Sequence, residues 1–235
     1  MIKKIIDLAR IYKRKIKYKK ISYSYSGIDL LIDYIFKDQP VGTYIDIGSQ
    51  HPISNSNTYL LHKKGWSGVN IDLDIKNVEL FNISRPKDIN LNYAIADKDG
   101  DADLYFYHSS SPINTLSKNV SEYQKAKVKQ VKKIRTYKLD TILDNINFQK
   151  KIDYMNIDVE GHEEKVLSGF NINKFKPSVI SVEYLDLSLN KLKFKNNNID
   201  NLINSNLYQY FKKNDYYFVN WIHGDLIFIH KYFRD

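Results

Sequence analysis

Four short apolar runs in this chain each end in a carboxylate, and no other feature restricts the fold as strongly. Residues 43–48 (ending Asp46-Ile47-Gly48), 68–73 (ending Asp72-Leu73), 91–97 (ending Ala96-Asp97) and 152–158 (ending Asp158) read as buried strands; residues 177–184 form a fifth such run, with Glu183 near its end. Amphipathic segments alternate with them. Residues 57–64 suit a helix closed by Gly65, a helix around 163–167 is entered through Gly161, and another covers 199–211. This alternation predicts an α/β domain built on a mostly parallel, doubly wound sheet. Residues 102–107 and 128–137 read as an inserted antiparallel pair around a Ser/Pro/Asn loop. Residues 216–221 and 226–230, around the turn residues His223 and Gly224, read as a C-terminal antiparallel hairpin. There is no internal repeat and no linker, so residues 27–235 are expected to form one domain behind a basic arm, residues 1–26.

Composition narrows the chemistry. The 235 residues contain no cysteine, which removes disulfides, thiolate zinc sites, iron–sulfur clusters and a cysteine nucleophile, and leaves His, Asp and Glu as metal ligands. No apolar stretch approaches the roughly 20 residues that span a bilayer, and a secretion signal is not evident, so a cytoplasmic location is expected. The net charge of +9 is concentrated: nine Lys/Arg against Asp7 fall in residues 1–20, and the rest of the chain is close to neutral. That near-neutral body argues against a nucleic-acid partner, whose backbone demands many basic contacts; a nucleic-acid-binding protein or RNA methyltransferase is the alternative reading. Within the arm, Ile2, Ile5, Ile6, Ala9, Tyr12 and Ile16 recur at helical spacing. Two readings stand: a solvated helix whose stripe packs on the domain or on a second subunit, the favoured one, or a basic amphipathic helix on anionic lipid or a phosphorylated substrate. A second basic stretch, Lys125, Lys127, Lys129, Lys132, Lys133 and Arg135, reads as a lysine-protected edge strand.

In an open parallel sheet, ligands bind beyond the carboxyl ends of the strands. A single acid there commonly forms a turn or caps a helix; acids repeated along one rim point to a ligand. Gly48 would let backbone approach a nucleoside, Asp72 is placed for ribose hydroxyls, and Asp97 for an adenine amino group. The turn Gly48-Ser49-Gln50-His51-Pro52 lacks the further glycines that cradle a pyrophosphate, which disfavours a dinucleotide and suits a nucleoside without phosphates.

Tyr44-Ile45-Asp46-Ile47-Gly48, Ser56-Asn57-Thr58-Tyr59-Leu60-Leu61, Gly65-Trp66-Ser67-Gly68-Val69-Asn70-Ile71-Asp72, Ala94-Ile95-Ala96-Asp97 and Ile157-Asp158-Val159-Glu160-Gly161-His162-Glu163 together resemble the FkbM-type methyltransferases. The resemblance covers roughly residues 40–185, extends to residues 111–116 and 139–143, and is most specific from Asp158 to Glu163, followed by Val166-Leu167 and Gly169. It implies a Rossmann-like class I fold, S-adenosylmethionine as cofactor, and methylation of a hydroxyl on a polyketide or sugar. A sugar, nucleotide sugar or surface glycan is the acceptor expected here. The cofactor residues it suggests are Asp46, Gly48, Ser49, Asn57, Asp72, Leu73, Ala96 and Asp97. This chain departs from the family's second glycine after Gly48.

An aliphatic hydroxyl reacts with a sulfonium methyl only if its proton is drawn away. Two routes are open: a neutral His as base, or a divalent cation, magnesium or manganese, holding the hydroxyl. The catalytic candidates are His51, Asp158 and Glu160; Asp158 and Glu183 are the candidate metal pair, with His51 as base or third ligand, and braced loops the structural alternative. His162, at the start of the next helix, is a further ligand candidate or a surface residue there, and His223 in the hairpin is a candidate to reach the cleft mouth, whereas His62, His108 and His230 read as peripheral or packed. Tyr105, Phe106, Tyr107, Tyr184 and Trp221 are candidates for an acceptor pocket, and residues 108–119 or 190–201 for a segment that closes over it.

Overall fold

The computed structural model describes residues 2–17, 19–124, 126–187 and 197–234. In chain order its first half contains α1 (Ile2–Lys17), α2 (Ile28–Ile35), β1 (Thr43–Ile47), α3 (Tyr59–Lys63), β2 (Ser67–Asp72), α4 (Ile75–Ser84), β3 (Ile89–Asn92), β4 (Ala94–Ile95), β5 (Gly100–Phe106) and α5 (Lys118–Tyr123). The second half contains β6 (Gln130–Tyr137), α6 (Leu139–Asn145), β7 (Tyr154–Ile157), α7 (Glu163–Ser168), α8 (Ile172–Phe175), β8 (Val179–Glu183), α9 (Ile199–Ile203), α10 (Asn206–Lys213), β9 (Tyr216–Ile222), β10 (Asp225–His230) and α11 (Lys231–Arg234).

A seven-stranded sheet, ordered β3-β2-β1-β7-β8-β10-β9, forms the centre. Neighbours are parallel except β10, which runs antiparallel to both β8 and β9. The chain winds outward from β1 to β3 and returns to lay β7 against the other side of β1. The carboxyl ends of β1 and β7 therefore diverge at a switch point, where such sheets open a crevice.

Strand alternation gives the sheet two apolar faces. Ile45, Ile47, Met155, Ile157, Ile180 and Val182 face a core completed by α6, α7 and α10, through Leu139, Leu143, Val166 and Phe211. Tyr44, Tyr154, Val179 and Ile227 face the other way, against Ile28, Ile32, Leu61 and Trp66. Toward the carboxyl ends this second face turns polar: Asn70, Asp46, Asn156 and Ser181 are register partners across four adjacent strands. They satisfy one another. Asn156 donates to Asp46 (2.9 Å) and accepts from Ser181 Oγ (2.6 Å), and Thr58 Oγ1 donates to Asp46 (2.6 Å).

Several expectations are corrected. The third strand is not continuous: Tyr93 donates to the Asp72 carbonyl, and the chain then leaves the main sheet so that β4 pairs with β6 in a separate three-stranded sheet, β4-β6-β5. Two ladders compete for residues 89–97, and each takes half. The basic strand β6 is central in that small sheet, yet β4 covers only Thr136 and Tyr137, leaving its lysine-rich part with one open edge; Lys125 lies outside the described residues. The helix expected over 199–211 is two helices, because Ser205 Oγ caps α10 by accepting from the Tyr208 amide (3.2 Å). Residues 190–196 of the expected closing segment are outside the described residues. In α1, every side chain from Lys3 to Lys17 is exposed, so the stripe does not pack on the domain.

Candidate active site

Gly48 ends β1 at φ +78°, its amide donating to the Ile71 carbonyl (2.9 Å), and a Cβ there would stand 1.7 Å from the Asp158 carbonyl oxygen. A close approach that demands glycine is thus made by the protein's own β7 end. Gln50, at φ +49°, turns its amide onto Asp72 Oδ2 (2.9 Å). The other carboxylate oxygen of Asp72 accepts from the Asp74 amide (2.8 Å) and Asn77 Nδ2 (3.1 Å). Burial raises the Asp72 carboxyl, while these donors pull it back.

Around this turn lie two adjoining clefts. The larger, about 630 Å³, is lined by Gly48, Asp72 and Leu73, by apolar Ile47, Ile71, Tyr93, Ala94 and Ile95, and by Ser111, Pro112 and Asn114 of the loop after β5. Asp74 clamps that loop: its Oδ2 accepts from the Ser110 amide (2.7 Å) and Ser109 Oγ (3.1 Å), while its Oδ1 caps α4 through the Lys76 amide (3.0 Å). The smaller, about 410 Å³, is polar, lined by Asp46, Ser49, Asn55, Ser56, Asn57 and Asn156. Gly48, Gln50, Pro112, Asp158 and Glu160 belong to both.

At their junction is an acid cluster. Asp158, Glu160 and Glu183 each bring a carboxylate oxygen within 4.8 Å of the others'. Buried Oε2 of Glu183 has no hydrogen-bond partner. Glu160 sits at φ +55°, its carbonyl accepting from Thr115 Oγ1 (2.7 Å), which aims the residue into the junction. Loss of hydration, then repulsion from the surrounding acids, lifts Asp158 and Glu183 well above the usual carboxylate range; loss of hydration, then the Glu163 carboxylate, brings Glu160 up to about 7. Glu163 is also raised to about 7 by burial; it braces the loop, with Oε1 accepting from the Val159 and Gly161 amides (both 3.0 Å).

The family model for the methyltransferase FkbM domain matches residues 46–210, which include every residue lining the two clefts. The chain belongs to this family. No curated protein matches it.

Within the FkbM domain, the geometry unites most of the cofactor, catalytic and metal candidates singled out from the sequence and leaves Asp97, Ala96 and His51 outside. Asp46, Gly48, Ser49, Asn57, Asp72, Leu73, Asp158 and Glu160 line one or both clefts; Glu183 joins them through the acid cluster. Asp97 does not: it follows β4 in the small sheet and pairs with Lys165 Nζ (2.9 Å), which pulls its carboxyl down. Ala96 is buried with its carbonyl facing Gly169, and Tyr93, Ala94 and Ile95 take the place expected for it. His51 lines neither cleft; its Nδ1 accepts from the Ile53 and Ser54 amides (3.1 and 3.0 Å), and Glu160 supplies the third oxygen of the cluster instead. Tyr105, Phe106 and Tyr107 line neither cleft, whereas Tyr184, backed by Trp221 at 5.6 Å, lines a third groove of about 1020 Å³ together with Glu183, Ser117 and Lys118. His162 lines both this groove and the larger cleft.

Asp74, Asn156 and Arg85 were missed. Asn156 signals itself as the lone amide within an apolar run. Arg85 carries no such signal, standing before a proline like many surface arginines, yet it is fully buried. Its guanidinium donates to the Pro52 carbonyl, Ser56 Oγ (2.8 Å) and Thr58 Oγ1 (2.9 Å), and so fixes the loop that walls the smaller cleft.

Proposed function

We propose that this FkbM domain is an S-adenosylmethionine-dependent O-methyltransferase acting on a hydroxyl of a sugar, nucleotide sugar or surface glycan, with a divalent cation, magnesium or manganese, at Asp158, Glu160 and Glu183. The reading is carried by the junction of an apolar cleft, a polar cleft and an acid cluster at Gly48, Asp158 and Glu160.

The residues present suit the cofactor. Ile71, Leu73, Tyr93, Ala94 and Ile95 offer apolar walls for a planar base, and Asp72, held by three donors, keeps one of its roughly four acceptor sites for a ribose hydroxyl. The amides and hydroxyls of the smaller cleft suit the charged amino-acid end. When bound, S-adenosylmethionine supplies an electrophilic methyl on a sulfonium. The chain's own part is alignment: Asp74 closes the loop bearing Ser111, Pro112 and Asn114 over the cleft, which shields the donor from water. The acids suit a hard cation, being oxygen ligands without a basic partner among them, one with an orphaned buried oxygen. Such an ion would supply Lewis-acid polarisation of the acceptor hydroxyl. A sugar ring fits the third groove, against Tyr184 and beside Glu183.

Isothermal titration with S-adenosylhomocysteine tests the cofactor: heat is expected from the wild type and lost in Asp72→Ala. Labelled methyl transfer into a panel of nucleotide sugars, with chelator and with added manganese, tests acceptor and cation together. No heat from folded protein at millimolar ligand overturns the cofactor reading, and an unchanged rate in Asp158→Asn overturns the cation reading.

A further inference from the structure

Residues 3–17 of α1 are exposed throughout, although the helix is strongly two-faced. At the helical 100° per residue, Leu8, Tyr12, Ile5, Ile16, Ala9 and Ile6 fall in that order on one arc of about 160°, with Lys13 near one border. Ile5 is 60% exposed, Leu8 57%, Tyr12 64% and Ile16 61%. The opposite arc holds Arg10, Lys3, Arg14 and Lys4, with Lys17 and Lys15 at its borders and one apolar residue, Ile11 (64% exposed), among them; Asp7 is the only acid there, in an exposed pair with Arg10 (3.6 Å). Among the described residues no helix is long and apolar enough to cross a membrane.

We propose that α1 is a docking element for an anionic lipid surface, lying in the plane of the bilayer. Such a partner uses both arcs. A nucleic acid would neutralise the bases and leave the apolar stripe in water. A second copy of the helix would cover the stripe but bring Lys4 and Lys15, or Arg10 and Lys17, against bases of its partner, with no acids to pair across the seam. At the boundary of an anionic bilayer the stripe enters the acyl region, and the flanking lysines and arginines remain among the phosphates.

The attachment point gives the docking a direction. Beyond α1, Ser22, Tyr23 and Ser24 are bound to the Asp29 carboxylate (2.6–3.0 Å), and Ser26 Oγ donates to Asp225 (3.2 Å), the register partner of Glu183. Eight residues separate Lys17 from Ser26, so even a fully extended connection keeps the end of α1 within about 30 Å of Ser26, and hence within about 40 Å of the acid cluster's rim. Docking by α1 holds that rim at the membrane, within reach of an acceptor carried on lipid.

Co-sedimentation of the full chain with phosphatidylcholine vesicles, with and without phosphatidylserine, tests this independently of any methyl transfer. Binding to the anionic vesicles alone, weakened by salt, is expected. The stripe variant Ile5→Asn/Leu8→Asn/Ile16→Asn should bind at least about tenfold more weakly, and the charge variant Lys3→Gln/Lys4→Gln/Arg10→Gln/Arg14→Gln about a hundredfold or more. Both variants should keep the wild-type melting temperature and S-adenosylhomocysteine titration, since α1 packs on nothing they report. The proposal is overturned by equal binding to neutral and anionic vesicles, by no binding to either, by a stripe variant that binds like wild type, or by a wild-type oligomer that the stripe variant dissociates.

Discussion

A methyl group at Gly48 would meet the Asp158 carbonyl at 1.7 Å on a backbone already at φ +78°. Gly48→Ala should therefore cost about 3 kcal/mol or more, whereas Gly65→Ala, at φ +95° with nothing within 4 Å, should cost about 1 kcal/mol from conformation alone. Urea unfolding of both variants separates the contact from the dihedral; equal losses would mean the β1 and β7 ends shift apart at little cost. Glu163 offers a second measurement. Its carboxyl is raised to about 7, above its ordinary 4.5, so the folded chain binds the proton more tightly than the unfolded one, and ionisation costs stability as pH climbs between those values. Glu163→Gln keeps the acceptor for the Val159 and Gly161 amides and removes the titration. It should match wild type below about pH 4.5 and exceed it above about pH 7 by on the order of 1–3 kcal/mol. The difference between the two proteins cancels the histidines His62, His162 and His230, whose lowered values act in the opposite sense below 6.5. A constant difference across pH would show that Glu163 is not the titrating group. At this scale the sequence was legible where chemistry and position coincide, as at Asp72 and Asp158. It was silent at Arg85, whose burial depends on acceptors from Pro52, Ser56 and Thr58 that only the fold assembles.

Among the elements, the strands that carry the site were legible because their apolar runs have no other place than a covered sheet. The limits of β1, β2, β7 and β8 differ from the expected runs by a few residues at most. The break after β3 was not legible, since Ala94-Ile95-Ala96 is equally apolar on either ladder, and the choice belongs to the distant β6. That break decides the site, turning Ala94 and Ile95 into cleft wall and sending Asp97 to Lys165. The clamp from α4 to the loop after β5 is likewise tertiary. Asp74→Ala removes one carboxylate that serves both, and S-adenosylhomocysteine should bind about tenfold more weakly, with faster amide hydrogen exchange at residues 108–114. Unchanged exchange there would show that the loop is held by its own contacts, such as Asn114 Nδ2 donating to the His108 carbonyl (2.9 Å).

For the molecule as a whole, the acid cluster links stability to the cation we propose. At pH 8 manganese at about 100 times its Kd should raise the Tm by roughly 5–10 °C, and Asp158→Asn should abolish the rise. A rise of the same size in the variant would place the ion elsewhere. The exposed α1 adds the other global feature, since a helix whose side chains from Lys3 to Lys17 are all exposed leaves its partner to be named by charge and apolar area alone. By itself, the order of residues determined the parallel sheet, the family, and an acid-tipped rim as the place to look, because strand periodicity and strand-end chemistry are local properties of the chain. Only tertiary structure decided which tips converge. Carboxylates on β7 and β8 meet because those strands are neighbours in space, Asp97 leaves because its strand changes sheets, and His51 turns away because two nearby amides claim its nitrogen.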